Sequence, residues 1–129
     1  MGFDFASAYS INQSASFDDY IKNRMNAIGF EPRAKVLNNC YVDVITTTKD
    51  DSLIVNLINY SGPHMIEAVR SYRELPKLCD IDVQITVDKD PGEVYLEPGH
   101  QKLDYTYENG KVNLRVDRLD VHSAVVMKF

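Results

Sequence analysis

From Cys40 to Phe129 apolar and polar residues alternate with a period of two, and only a short stretch ahead of it keeps helical spacing. Leu53 to Ile58 are apolar on both registers apart from Asn56. Successive side chains of a strand point to opposite faces, so this run predicts a central strand covered on both sides. Lys49-Asp50-Asp51 before it and Ser61-Gly62-Pro63 after it are turn chemistry. In Cys40 to Thr47, Val42 and Val44 share one face while Tyr41, Asp43 and Ile45 share the other, so these two strands form a hairpin. Residues Gly62 to Lys77 lie around Pro63 and Pro76 and read as a long connection.

Further on, Ile81, Val83, Ile85 and Val87 alternate with Asp82, Gln84, Thr86 and Asp88, which predicts a strand with one dry and one wet face. Val94 and Leu96 mark a short strand between Pro91-Gly92 and Pro98-Gly99. Leu103, Tyr105 and Tyr107 run into Asn109-Gly110, and Val112, Leu114 and Val116 run out of it. Asn-Gly suits the two positive-φ positions of a tight hairpin turn, so those strands should pair. In the closing stretch Val121, Ser123, Val125, Met127 and Phe129 fall on the core side.

Helical spacing appears once. Phe17, Tyr20, Ile21, Met25 and Ile28 form an apolar stripe opposite Lys22, Asn23 and Asn26. Ser16 is expected to cap this helix, with Asp18 and Asp19 near the positive end of its dipole. Gly29 ends it in a left-handed cap, Phe30 folds back towards Met25, and Pro32 prevents resumption. A helix of about three turns is marginal by itself in water, so its stripe is expected to pack on the sheets. The reading is therefore mainly β: an antiparallel sandwich of about seven or eight strands with one N-terminal helix. Residues 16–129 make the helix-plus-sandwich domain. Residues 1–15, with Phe3, Phe5 and Tyr9, make an N-terminal segment that reads as the end of an upstream domain or an intermolecular contact.

Composition narrows the chemistry. A chain of 129 residues suffices for one core without metal or disulfide staples. The net charge of -5 opposes a phosphate backbone and no compact basic run offsets it, so nucleic acid is not expected as a partner. No segment reaches the roughly 20 apolar residues that span a bilayer, so neither is a membrane. An export signal is not expected within the chain, and Ala6 replaces the Ser or Thr that myristoylation after Met1-Gly2 requires. Cys40 and Cys79 form no CxxC and are expected to be buried thiols, pairing only if the fold brings them together. His64, His100 and His122 lack metal-ligand spacing, and Ser61, Ser71 and Ser123 lack a GxSxG setting. Asp80, Asp82, Asp88, Asp90, Glu93 and Glu97 do not reproduce a calcium loop. No catalytic residue, metal or cofactor is expected.

Two sets of residues remain. Asn56 and Asn59 place amides in an otherwise apolar strand, where each needs hydrogen-bond partners, and they read as structural tethers to adjacent loops or backbone. Tyr95, Tyr105 and Tyr107 are rings for a domain interface, in preference to a sugar platform, because tyrosine suits places with one apolar and one wet end.

From Tyr20 onward the chain resembles the C-terminal β-sandwich domain of large glycoside hydrolases that carry a TIM barrel and a β-galactosidase-trimerisation-like, amidotransferase-like middle domain. The likeness rests on Tyr41-Val-Asp-Val-Ile with Lys49-Asp50, on Leu53-Ile-Val-Asn-Leu-Ile-Asn-Tyr-Ser-Gly-Pro, on Val94-Tyr-Leu-Glu-Pro-Gly, and on Leu119-Asp-Val-His-Ser-Ala-Val-Val-Met. It implies a C-terminal fragment or a small free-standing relative, with the hydrolytic centre in a barrel outside this chain. The function that follows is a non-catalytic accessory domain of a glycoside hydrolase-like enzyme, packed on upstream domains or on further copies of itself. The alternative is a carbohydrate-binding module.

Overall fold

The computed structural model of the chain describes residues 15–39, 41–62 and 75–129. The expectations for Phe3, Phe5 and Tyr9, for Cys40, and for most of the connection after Gly62 lie outside the described residues. Two compact units hold the rest, one ending at Pro32 and the other running from Arg33 to Phe129.

The first unit contains helix α1 (Ala15–Ala27). It starts one residue before the expected cap, at alanine, the strongest helix former, so Ser16 stands in the first turn and does not cap it. Its end follows the expectation. Gly29 has φ 68°, Phe30 N–H donates to Met25 O at 3.0 Å, and Gly29 N–H donates to Asn26 O at 3.0 Å. These are the two bonds of a glycine-terminated helix, which satisfy carbonyls the last turn leaves open. Within the helix the Arg24 guanidinium lies 5.2 Å from the Tyr20 ring centre, the neighbour one turn away.

The second unit is the sandwich. Its strands are β1 (Ala34–Val36), β2 (Val42–Lys49), β3 (Ser52–Asn59), β4 (Leu78–Thr86), β5 (Glu93–Glu97), β6 (Gln101–Lys102), β7 (Tyr105–Glu108), β8 (Lys111–Leu119) and β9 (His122–Lys128). One antiparallel sheet runs β1-β4-β8-β7 and the other β2-β3-β9-β5-β6. The strands that the alternation did not predict are β1 and β6, too short at three and two residues to show a period.

Both hairpins form. Asn109 and Gly110 take φ 51° and 74° between β7 and β8, and Lys49 pairs with Ser52 across the Asp50-Asp51 turn between β2 and β3. Asp50 also has positive φ, which an aspartate tolerates better than most residues. β3 is central, between β2 and β9, but is not covered equally on both sides. Leu53, Val55 and Leu57 enter the core with Ile81, Val83, Ile85, Val112, Val116, Val125 and Met127 from the other strands, whereas Ile54, Asn56 and Ile58 are only half-buried.

Two expectations for core residues fail for local backbone reasons. Cys79 is a free, exposed thiol. Positive φ at Asp80 (53°) breaks the two-residue alternation of β4, so Leu78 packs against the core in step with Ile81 and Cys79 turns outward. Val121 is 59% exposed because the chain bends there between β8 and β9, and only its backbone carbonyl is used, accepting from Asn59 N–H at 2.9 Å.

Candidate functional site

Asn59 closes one end of the sandwich. It follows Leu53, Val55 and Leu57 on the inward register and is 6% exposed. Its Nδ2 donates to Pro76 O at 2.7 Å and to Asp120 O at 2.6 Å, and its Oδ1 accepts from Ser61 N–H at 3.0 Å and Ser61 Oγ at 2.7 Å. One amide thus joins the end of β3, the approach to β4 and the β8–β9 bend, and uses donor and acceptor capacity together. Asn56 lies on the opposite face. Its Nδ2 donates to Ile45 O at 3.3 Å and its Oδ1 lies 3.0 Å from His122 Nε2. Among the described residues no buried side-chain nitrogen or oxygen lacks a partner.

The three tyrosines do not share a face or a sheet. Tyr105 and Tyr107 lie on β7, half-buried against the core cluster. Tyr105 Oη donates to Pro91 O at 2.7 Å and approaches Asp90 Oδ1 at 3.1 Å; burial, and then Asp90, push its phenol pKa up. Tyr95 lies on β5 in the other sheet, on the face away from the core, and is still 8% exposed. The His100 ring sits on it at 3.9 Å between centroids, tilted by 38°, and Lys128 Nζ lies 5.1 Å from its ring centre. Covered in this way, Tyr95 presents no open ring face for stacking.

Around Tyr95 the surface charges pair. Lys128 Nζ lies 3.1 Å from Glu93 Oε2, His100 Nε2 lies 3.6 Å from Glu93 Oε1, and His100 N–H donates to Glu97 Oε2 at 3.1 Å. Across the two interior strands of the other sheet, Arg115 Nε donates to Asp82 Oδ1 at 2.7 Å, and at the end of β8 Arg118 grips Asp120 with two bonds of 2.9 Å. Lys128 holds the Glu93 carboxyl below its usual range, the His100 backbone N–H does so for Glu97, and Arg118 for Asp120. Depressed carboxyl pKa values stabilise the fold above the unfolded-state pKa, and that contribution is lost as pH falls through the folded value. Unfolding free energy is therefore expected to drop below about pH 5, and Glu97→Gln to flatten the drop. Urea unfolding across that range checks this; equal slopes for parent and variant would show that the Glu97 contact contributes nothing.

Three surface cavities of the sandwich unit are lined by described residues. One of about 410 Å³ overlies Asp82, Asn113 and Arg115, and one of about 470 Å³ overlies Arg118, Asp120 and His122. The third, of about 360 Å³, is assembled from four separated segments: the Asp50-Asp51 turn, Asp88-Lys89 after β4, Arg33 before β1 and Phe129 after β9. Backbone bonds fix two of these segments, Thr86 N–H to Arg33 O at 2.7 Å and Phe129 N–H to Asp51 O at 3.0 Å. Sequence spacing gave no sign of this cavity, since its lining residues meet only in three dimensions. Among the described residues no group of three or more His, Cys, Asp or Glu is placed to hold a metal ion.

No family model and no curated relative matches the chain. Among solved structures it is similar to α-L-fucosidase isoenzyme 2 from Paenibacillus thiaminolyticus, at 18% identity and a TM-score of 0.81, over 100% of this chain and 20% of that one. It is also similar to a cycloisomaltooligosaccharide glucanotransferase from Paenibacillus sp., solved with cycloisomaltoheptaose, at 19% identity and a TM-score of 0.52, over 81% of this chain and 20% of that one. At such identities the likeness is one of fold. The chain spans about a fifth of the length of the solved chains it matches.

Proposed function

We propose that this chain is a non-catalytic accessory domain of a carbohydrate-active, glycoside hydrolase-like enzyme, and that it works by packing on neighbouring domains. The observation that carries this reading is the agreement of the whole chain with one fifth of an α-L-fucosidase chain. A fold does not by itself define a function, so the chemistry must agree. Glycoside hydrolysis uses two carboxyl groups across a cleft, one of them an acid whose pKa is raised. Glu93, Glu97 and Asp120 each have a carboxyl pKa held down, the opposite of what a glycosidic general acid needs.

The outer face of the five-stranded sheet suits the packing role. Cross-strand partners share a face, which puts Ile45, Ile54 and Ile58 there beside the buried Ala124, Val126 and Tyr95 and the polar Asn56 and His122. Ile45 keeps 53% of its surface exposed. Ile45, with the half-buried Ile54 and Ile58, is the apolar part of this face that remains open to another body.

The isolated chain is expected to release no nitrophenol from 4-nitrophenyl α-L-fucopyranoside or from 4-nitrophenyl α-D-glucopyranoside. Turnover that survives repurification and disappears on substitution of one of its acidic residues would overturn the non-catalytic reading.

A further inference from the structure

We infer that the cavity between the Asp50-Asp51 turn and Phe129 is a binding site for a neutral saccharide unit. This goes beyond the packing role and does not depend on it. The three cavities differ in what their polar groups already do. In the larger two, Asp82 is bonded to Arg115 and Arg118 to Asp120, so a ligand would have to break those pairs. Around the third cavity Arg33, Asp50, Asp51 and Asp88 are exposed, and none of them takes part in a side-chain pair like those two. Their hydrogen-bonding capacity is open to a ligand.

Charge selects the ligand class. Three carboxylates and two cations line one small space. An anion would meet Asp50, Asp51 and Asp88, and a cation would meet Arg33 and Lys89. A neutral molecule with many hydroxyl groups suits both sets, because each hydroxyl donates to a carboxylate and accepts from a guanidinium or an ammonium. The half-buried Phe129 ring supplies apolar surface, with Lys89 Nζ 5.8 Å from the ring centre. A sugar ring offers this combination, hydroxyl groups around its edge and C–H bonds on its faces. The volume of about 360 Å³ lies at the small end of ligand sites, which favours one or two sugar units. The backbone bonds to Arg33 and Phe129 hold two walls in place, so little ordering is needed on binding.

The test is an NMR titration of the whole 129-residue chain with neutral saccharides, L-fucose and isomaltotriose among them, and with glucuronate and glucosamine as charged comparisons. Saturable shifts are expected at the Ser52, Leu53, Lys89 and Phe129 amides, with Kd near about 1 mM for at least one neutral sugar and weaker binding of the charged ones. Arg33→Gln and Asp88→Asn change exposed side chains, so both variants are expected to fold, and each should weaken binding by about tenfold. Absence of saturable shifts with every neutral sugar overturns the site. So do shifts centred on Tyr105 and Tyr107, binding that both substitutions leave intact, or tighter binding of a charged sugar. None of these outcomes bears on whether the domain packs on a larger enzyme.

Discussion

Leu57→Ala is expected to lower the unfolding free energy by about 2–5 kcal/mol, the cost of removing a large aliphatic side chain from a closed core. Leu57 is completely buried and lies on β3, an interior strand of the five-stranded sheet, opposite Val44 on β2 and Ser123 on β9. Strands flank it on both sides, so its backbone has little freedom to collapse into the cavity that alanine would leave, and the loss should fall in the upper part of the range. Urea unfolding with an unchanged m-value is the measurement. A loss below about 0.5 kcal/mol would mean a surface position, contrary to the central place of β3.

Asn59→Ala should cost about 2–4 kcal/mol, although it deletes only a small polar group. The substitution leaves the carbonyls of Pro76 and Asp120 and the N–H of Ser61 without their partner, at the point where three chain segments meet. An unmade bond at a partly buried group costs more than a made one contributes, and here several are lost together. Asn56→Ala is the internal comparison, the same chemistry on the half-buried face, and should cost less than about 1 kcal/mol. Equal losses at the two positions would refute the assignment of Asn59 as the tether at the sandwich end.

These two asparagines show how far the sequence could be read. Both look like amides in an apolar strand, and the register tells them apart: Asn59 is in step with Leu53, Val55 and Leu57, Asn56 with Ile54 and Ile58. The Asn109-Gly110 hairpin and the alternation of Ile81, Val83 and Ile85 were legible because turn chemistry and period agree over several residues. Cys79 and Val121 were misread because a single positive φ or a bend shifts the register, and neither leaves a trace in the pattern. For the tyrosines, alternation does not show which ring will be covered by a histidine from its own turn, as Tyr95 is by His100. The cavity was invisible for a further reason: Arg33, Asp51, Asp88 and Phe129 are brought together by the pairing of strands far apart in the chain.

The accessory role is tested most directly by the native mass of the particle that carries this sequence in an extract of its source. The account predicts that peptides of this chain elute far above 14.7 kDa, together with glycoside-hydrolysing activity, either within one long polypeptide or in a stable complex. Elution as a lone 14.7 kDa species, apart from any such activity, would contradict it.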